Sequence, residues 1–103
     1  MVEGEVLVAL ADPTRRRILD VVAALGEATA TVLADEIPVS RQAIVKHLGV
    51  LERAGLVEGR RAGREVRFVV RSEPLGATAA WMTRLAADWD ARLAVIKRIA
   101  EGD

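Results

Sequence analysis

The chain has no cysteine and no tyrosine, and its aromatic residues are only Phe68, Trp81 and Trp89. Without cysteine there is no disulfide, no thiolate metal site and no cysteine nucleophile. That absence suits a cytoplasmic protein. No apolar run approaches the ~20 residues that cross a bilayer, so no membrane partner is expected. The opening, M-V-E-G-E-V, carries acids where a signal peptide needs base, so no targeting segment is expected. The lone histidine, His47, has no nucleophile or carboxylate partner near it in sequence, and there is no phosphate-binding glycine loop. No catalytic residue and no cofactor are therefore expected. Repeats and low-complexity tracts are also missing.

What is present is half apolar, at 51% of 103 residues, enough for one modest core in a single domain over residues 1–103. The net charge is zero, but its distribution is uneven. Residues 1–40 hold three Arg against seven acids, a net of −4. Residues 41–71 hold eight Lys or Arg against three Glu, a net of +5, and residues 72–103 have a net of −1. A basic middle third is a solvated surface in most proteins. Here it coincides with a pattern suited to nucleic acid.

Apolar spacing and punctuation predict helix, helix, helix, helix, hairpin, helix. Val6, Leu7 and Leu10 suggest a short first helix. Asp12-Pro13 reads as a helix start, with Asp as N-cap and Pro at the first helical position. Ile18, Leu19, Val22 and Leu25 form its stripe, and Gly26 ends it. Thr29 caps a third helix that carries Val32, Leu33 and Ile37 and stops before Pro38. Ser40 caps a fourth, which Gly55 ends. Arg60 to Arg64 supply a turn, and Val66, Phe68 and Val70 alternate on the return strand. Beyond Pro74 a last helix runs from about Leu75 to Ala100. The fold class is mainly α with a small β-hairpin.

The fourth helix is the most informative segment. At about 100° per residue, Ile44, Leu48 and Leu51 share one narrow arc, and Gln42, Lys46, Gly49 and Arg53 cluster opposite. A helix held by an apolar side and presenting long polar side chains is what a major-groove reader needs. Gln42 suits bidentate bonds to adenine, and Lys46 suits guanine O6 and N7; the plainer alternative is phosphate contact alone. Val45, beside that face, suits a thymine methyl group or merely covers the helix edge. Arg41 is the phosphate candidate of the first turn. Ser40 is first a cap and second a phosphate ligand. Arg60, Arg61 and Arg64, placed at the hairpin tip around Gly63, suit phosphates and a narrow minor groove. Arg67 is expected on the backbone or paired with Glu58. One of Arg15, Arg16 and Arg17 is expected on a phosphate, and at least one in an internal ion pair.

The segments A-L-A-D-P-T-R-R-R-I-L, L-A-D-E-I-P-V-S-R-Q-A-I-V-K-H-L-G-V-L-E-R-A-G-L-V and R-R-A-G-R-E-V-R-F resemble the ArsR-type winged helix-turn-helix transcriptional regulators. The likeness covers nearly the whole chain. It implies a helix-turn-helix at about 29–54, a wing at about 56–71 and a terminal dimerisation helix at about 75–100. It also implies a homodimeric repressor on double-stranded DNA, and adds a phosphate contact to the packing reading of His47. Metal sensors of the family carry cysteine pairs before the turn, or His and carboxylate ligands on the terminal helix. The matching segments here have neither Cys nor His. Asp88 and Asp90 point about 200° apart on a helix and do not share an ion. No metal site is expected, and the effector is not legible.

On the last helix Trp81, Met82, Leu85, Trp89, Leu93, Ile96, Ile99 and Ala100 share an arc of about 120°. That is more apolar surface than a small core covers. With Val6, Leu7 and Leu10, the residues Trp81, Leu85, Trp89, Leu93 and Ile96 are the expected dimer interface; the alternative is a stripe folded back wholly on its own domain. Two other functions stay open: a winged-helix module for protein–protein contact, and a metal-free small-molecule sensor.

Overall fold

The computed structural model describes residues 2–102, so Met1 and Asp103 of the expected domain lie outside it. The order is α1 (Val2–Ala11), α2 (Pro13–Leu25), α3 (Ala30–Glu36), α4 (Arg41–Arg53), β1 (Val57–Ala62), β2 (Glu65–Val70) and α5 (Glu73–Ala100). Local chemistry sets most boundaries. The Asp12 carboxylate accepts from the Arg15 N–H at 3.0 Å and Pro13 opens α2. Thr29 Oγ1 accepts from the Val32 N–H at 3.2 Å and Ser40 Oγ from the Ala43 N–H at 3.1 Å, starting α3 and α4. α4 closes in a Schellman motif. Gly55 has φ +76°, its N–H donates to Glu52 O, and the Leu56 N–H donates to Leu51 O, both at 3.0 Å. Leu51 and Leu56, the apolar pair of that motif, are both fully buried.

The core is drawn from every element before the hairpin. Val6 and Ala9 of α1, Ile18 and Val22 of α2, Leu33 of α3, and Ile44, Leu48 and Leu51 of α4 meet Leu56 and Val57. Burying each large aliphatic contributes about 1.5–3 kcal/mol. Leu25, expected on the α2 stripe, is instead 55% exposed.

β1 and β2 are antiparallel, with Arg60 opposite Arg67, Arg61 opposite Val66 and Ala62 opposite Glu65. The loop is only Gly63-Arg64. Gly63 has φ +65° and takes the first loop position, which a type II′ turn reserves for glycine. Arg60 and Arg61 are therefore strand residues, not tip residues, which corrects the five-residue turn expected from sequence. The strands pair as far as Ala62 because a two-residue loop twists with them. Ala28 and Phe68 exchange two backbone hydrogen bonds, at 3.0 and 2.8 Å, adding a one-residue third strand that anchors the hairpin to the α2–α3 connection.

α5 starts two residues earlier than expected. Ser72 precedes it and Pro74 lies inside its first turn, where no N–H is needed. Its one buried residue is Thr78, whose hydroxyl donates to Pro74 O at 2.7 Å. α5 packs on α1, and Trp81 and Leu85 are half-buried. From Ala86 to Ala100 every residue is exposed, so about 22 Å of helix projects beyond the domain. The long axis of the molecule is accordingly 69 Å, against 23 and 22 Å for the others. No helix among the described residues is long and apolar enough to cross a membrane.

Candidate nucleic-acid interface

α3, the turn and α4 form a rigid corner. The Ile37 N–H donates to Leu33 O at 2.9 Å and the Val39 N–H to Ile37 O at 2.7 Å. Ile37 is buried and Val39 packs against the core, so Pro38 alone faces out of the turn. On α4, Ile44, Leu48 and Leu51 are 0–2% exposed. This fixes the rotation of the helix and leaves Gln42, Val45, Lys46 and Arg53 on the outside. Gly49 is half-buried on the same outward side, and a Cβ there would meet only the Arg53 Nη1, at 3.4 Å.

Three of the expected contact residues have internal duties. Ser40 Oγ is engaged in the cap. Arg41 Nε donates to Thr31 Oγ1 at 3.3 Å, which ties α4 to α3 and leaves the rest of the guanidinium exposed. His47 is half-buried and its Nδ1 lies 3.3 Å from Arg15 Nη1. Arg15 also donates from Nε to Ala9 O and from Nη2 to Val8 O, both at 2.9 Å. Arg16 donates to Leu10 O at 2.6 Å. The expected ion pair of Arg15, Arg16 or Arg17 with an acid does not occur among the described residues. The carbonyls that end α1 lack helical partners, and the α1 last turn has no base of its own, so the arginines of α2 turn to them instead.

The hairpin stands beside α4 and is fastened to it. The Gly59 N–H donates to Glu52 Oε2 at 3.3 Å. Glu58 gathers two cations: Arg71 Nη2 at 2.7 Å and Arg60 Nε at 2.9 Å. Those two hydrogen bonds, Arg71 first, hold the Glu58 carboxyl below its ordinary pKa, and Glu58 in turn raises that of Arg71. Arg67 pairs with Glu27 at 3.1 Å and with Glu65 at 3.6 Å, not with Glu58. Arg67 lies opposite Arg60, on the face that also carries Glu58, but Glu58 is already engaged by Arg60 and Arg71. Arg61 and Arg64 have no ion-pair partner among the described residues and are exposed. The hairpin thus keeps two uncommitted guanidiniums, Arg61 and Arg64, and two tethered ones, Arg60 and Arg67. Between α3, α4 and the hairpin runs an open groove of about 720 Å³, with Val45, Gly49 and Phe68 along it and Arg41 and Arg64 among its lining residues.

The other expected surface divides in two. Val6 is fully buried in the core and Leu10 packs against it, so neither is free to meet a second copy as expected, and Trp81 and Leu85 are half-covered. Leu7, Trp89, Leu93 and Ile96 are 40%, 57%, 62% and 60% exposed, and Ile99 reaches 70%. Beyond Leu85 the stripe does not fold back on its own domain. Sequence reasoning missed Glu58 as the wing's charge centre, Glu27 as the partner of Arg67, and Arg15 as a link to α4. The only hint was the acid-and-base pattern of the strands, since partners 40 residues apart leave no local signal.

A helix-turn-helix domain family matches residues 10–60. The chain is 42% identical over 101 residues to the HTH-type transcriptional regulator Rv2034 of Mycobacterium tuberculosis, covering 92% of this chain and 87% of that one. It is 32% identical over 79 residues to the transcriptional repressor SdpR of Bacillus subtilis, covering 77% and 87%. The solved structure of an ArsR-like transcriptional regulator from Rhodococcus sp. RHA1 superposes with a TM-score of 0.84 at 44% identity, covering 99% of this chain and 95% of that chain.

Proposed function

The chain belongs to the ArsR-type winged helix-turn-helix transcriptional regulators, and we propose that it works as a homodimeric repressor on a two-fold operator. One observation carries the DNA side of this reading. α4 is locked by Ile44, Leu48 and Leu51, so that Gln42, Val45 and Lys46 face outward beside a hairpin bearing Arg61 and Arg64. A long polar side chain on a fixed helix reaches base edges without first being ordered, which is what sequence discrimination requires.

In this reading Gln42 and Lys46 contact bases and Val45 meets a thymine methyl group. The exposed part of the Arg41 guanidinium, Arg61 and Arg64 take phosphates. Arg60 is a weaker phosphate ligand, because Glu58 already holds its Nε. Ser40 orders the helix start, and His47 stays with Arg15. The dimer is supported by Trp89, Leu93, Ile96 and Ile99, an apolar stripe on a projecting helix. A second copy covers such a stripe symmetrically and sets two reading helices about one duplex turn, ~34 Å, apart.

The experiment is electrophoretic retention of the chain on its own upstream region and on duplexes recovered from a random pool. Retention that weakens steeply with salt is the expected result, about 0.9 in the log–log slope for each phosphate neutralised. No retention of any duplex at low salt would turn the reading toward a winged-helix protein–protein module.

A further inference from the structure

Arg15 is the one side chain that bonds both to α1 and to α4 among the described residues. Its Nε and Nη2 take the carbonyls of Ala9 and Val8, in the turn of α1 that also presents Leu7 and Val8 to solvent. Its Nη1 takes His47 Nδ1 on α4, one residue from Lys46. Its own backbone N–H is held by Asp12, the cap of α2. That hydrogen bond is also the main cause that lowers the Asp12 pKa. The guanidinium is planar, with donors in a fixed fork, so its three side-chain bonds fix distances rather than merely add attraction.

We propose that Arg15 is a positioning residue: it sets the reading helix at a fixed place relative to the surface that meets the second copy, and thereby the half-site spacing that the dimer accepts. This rests on the functional reading above. It assigns Arg15 and His47 to geometry and not to DNA contact. It also fixes the imidazole tautomer. A guanidinium only donates, so Nδ1 is the unprotonated acceptor and Nε2 carries the hydrogen. α1 and α4 also pack on each other directly, so the helices stay together without Arg15; in this proposal Arg15 removes the small slide that apolar packing tolerates. A slide matters little to a single half-site. It matters to two half-sites read at once, because the error enters from both copies.

The test uses the whole chain with Arg15→Met, His47→Leu and His47→Asn. Asn keeps an acceptor near the place of Nδ1 and Leu does not. Duplexes carry one half-site, or two at a series of spacings. Arg15→Met and His47→Leu are expected to bind the single half-site as the wild type does. They should lose about tenfold on the best two-fold site, in the range found for residues that couple two sites without touching either ligand, and accept neighbouring spacings more evenly. His47→Asn should restore the spacing preference. Since His47 is the only histidine, its imidazole nitrogen resonances need no assignment: the Nδ1 resonance is expected to shift when Arg15→Met removes its donor. An unchanged imidazole in Arg15→Met overturns the link, and an unchanged spacing preference overturns the positioning role. Equal losses on one and two half-sites mean a general structural role and also overturn it. Should Arg15→Met not fold, the Leu and Asn variants decide alone. If the wild type retains no duplex, the functional reading fails separately, and the imidazole arm still decides whether Arg15 holds His47.

Discussion

At Ser40 the hydroxyl accepts from the Ala43 N–H, so its first duty is to start α4. Ser40→Ala should cost about 1 kcal/mol, read as a lower denaturant midpoint with an unchanged slope. Gln42 and Arg61 separate two kinds of contact. Gln42→Ala should cost about 1–3 kcal/mol and relax base preference at one position per half-site, while Arg61→Ala should weaken all duplexes alike and flatten the salt slope by about one. Equal losses on operator and random DNA would remove Gln42 from base reading. Glu58 and Asp12 give the acid behaviour. Both have folded pKa values lowered from 4.5 and 3.8, by hydrogen bonds from Arg71 and Arg60 and from the Arg15 N–H respectively. A lowered carboxylate stabilises the fold above its ordinary pKa, and that contribution is lost as pH falls through the folded value. Glu58→Gln should therefore flatten the acid limb of a stability-versus-pH curve below the ordinary carboxyl value of 4.5, and leave stability differences across neutral pH small.

Two glycines test the elements from opposite directions. Gly49 lies inside α4 with room for a methyl group against the flexible Arg53, so Gly49→Ala should raise stability by about 1 kcal/mol. If duplex affinity then falls while stability rises, the groove wall approaches the helix at this point. Gly59 has no such room: a Cβ would lie 3.0 Å from Val66 Cγ1, 3.1 Å from Phe68 Cε1 and 3.2 Å from Glu52 Oε2. Gly59→Ala should cost about 1–3 kcal/mol by overpacking and should loosen the hairpin from α4. The element boundaries were largely legible because the caps are local chemistry. Asp12, Thr29, Ser40 and Gly55 act on residues within five positions. The outward face of α4 was legible for the same reason, since Ile44, Leu48 and Leu51 alone set its rotation. The pairing of Arg60 and Arg61 within β1 was not, because a short glycine turn and a longer loop look alike until the register is known. Nor was the bond from Arg15 to His47, 32 residues away, which depends on how α1, α2 and α4 pack.

The whole molecule is a small domain with a projecting helix, and its proportions argue for a partner. A monomer in water does not keep Trp89, Leu93, Ile96 and Ile99 exposed on one helix without cost, and the proposed second copy would cover them. Leu93→Glu with Ile96→Glu should give a monomer by sedimentation, retain the helical circular dichroism of the domain, and bind a two-fold site no better than a single half-site. The central claim joins both ends of the chain: α4 reads a groove, and α1 with α5 place a second α4 one turn away. Hydroxyl-radical footprinting on a duplex selected from a random pool tests both together. The account predicts two protected segments related by a dyad and centred about 34 Å apart along the duplex. A single protected segment, or none at low salt, would contradict it.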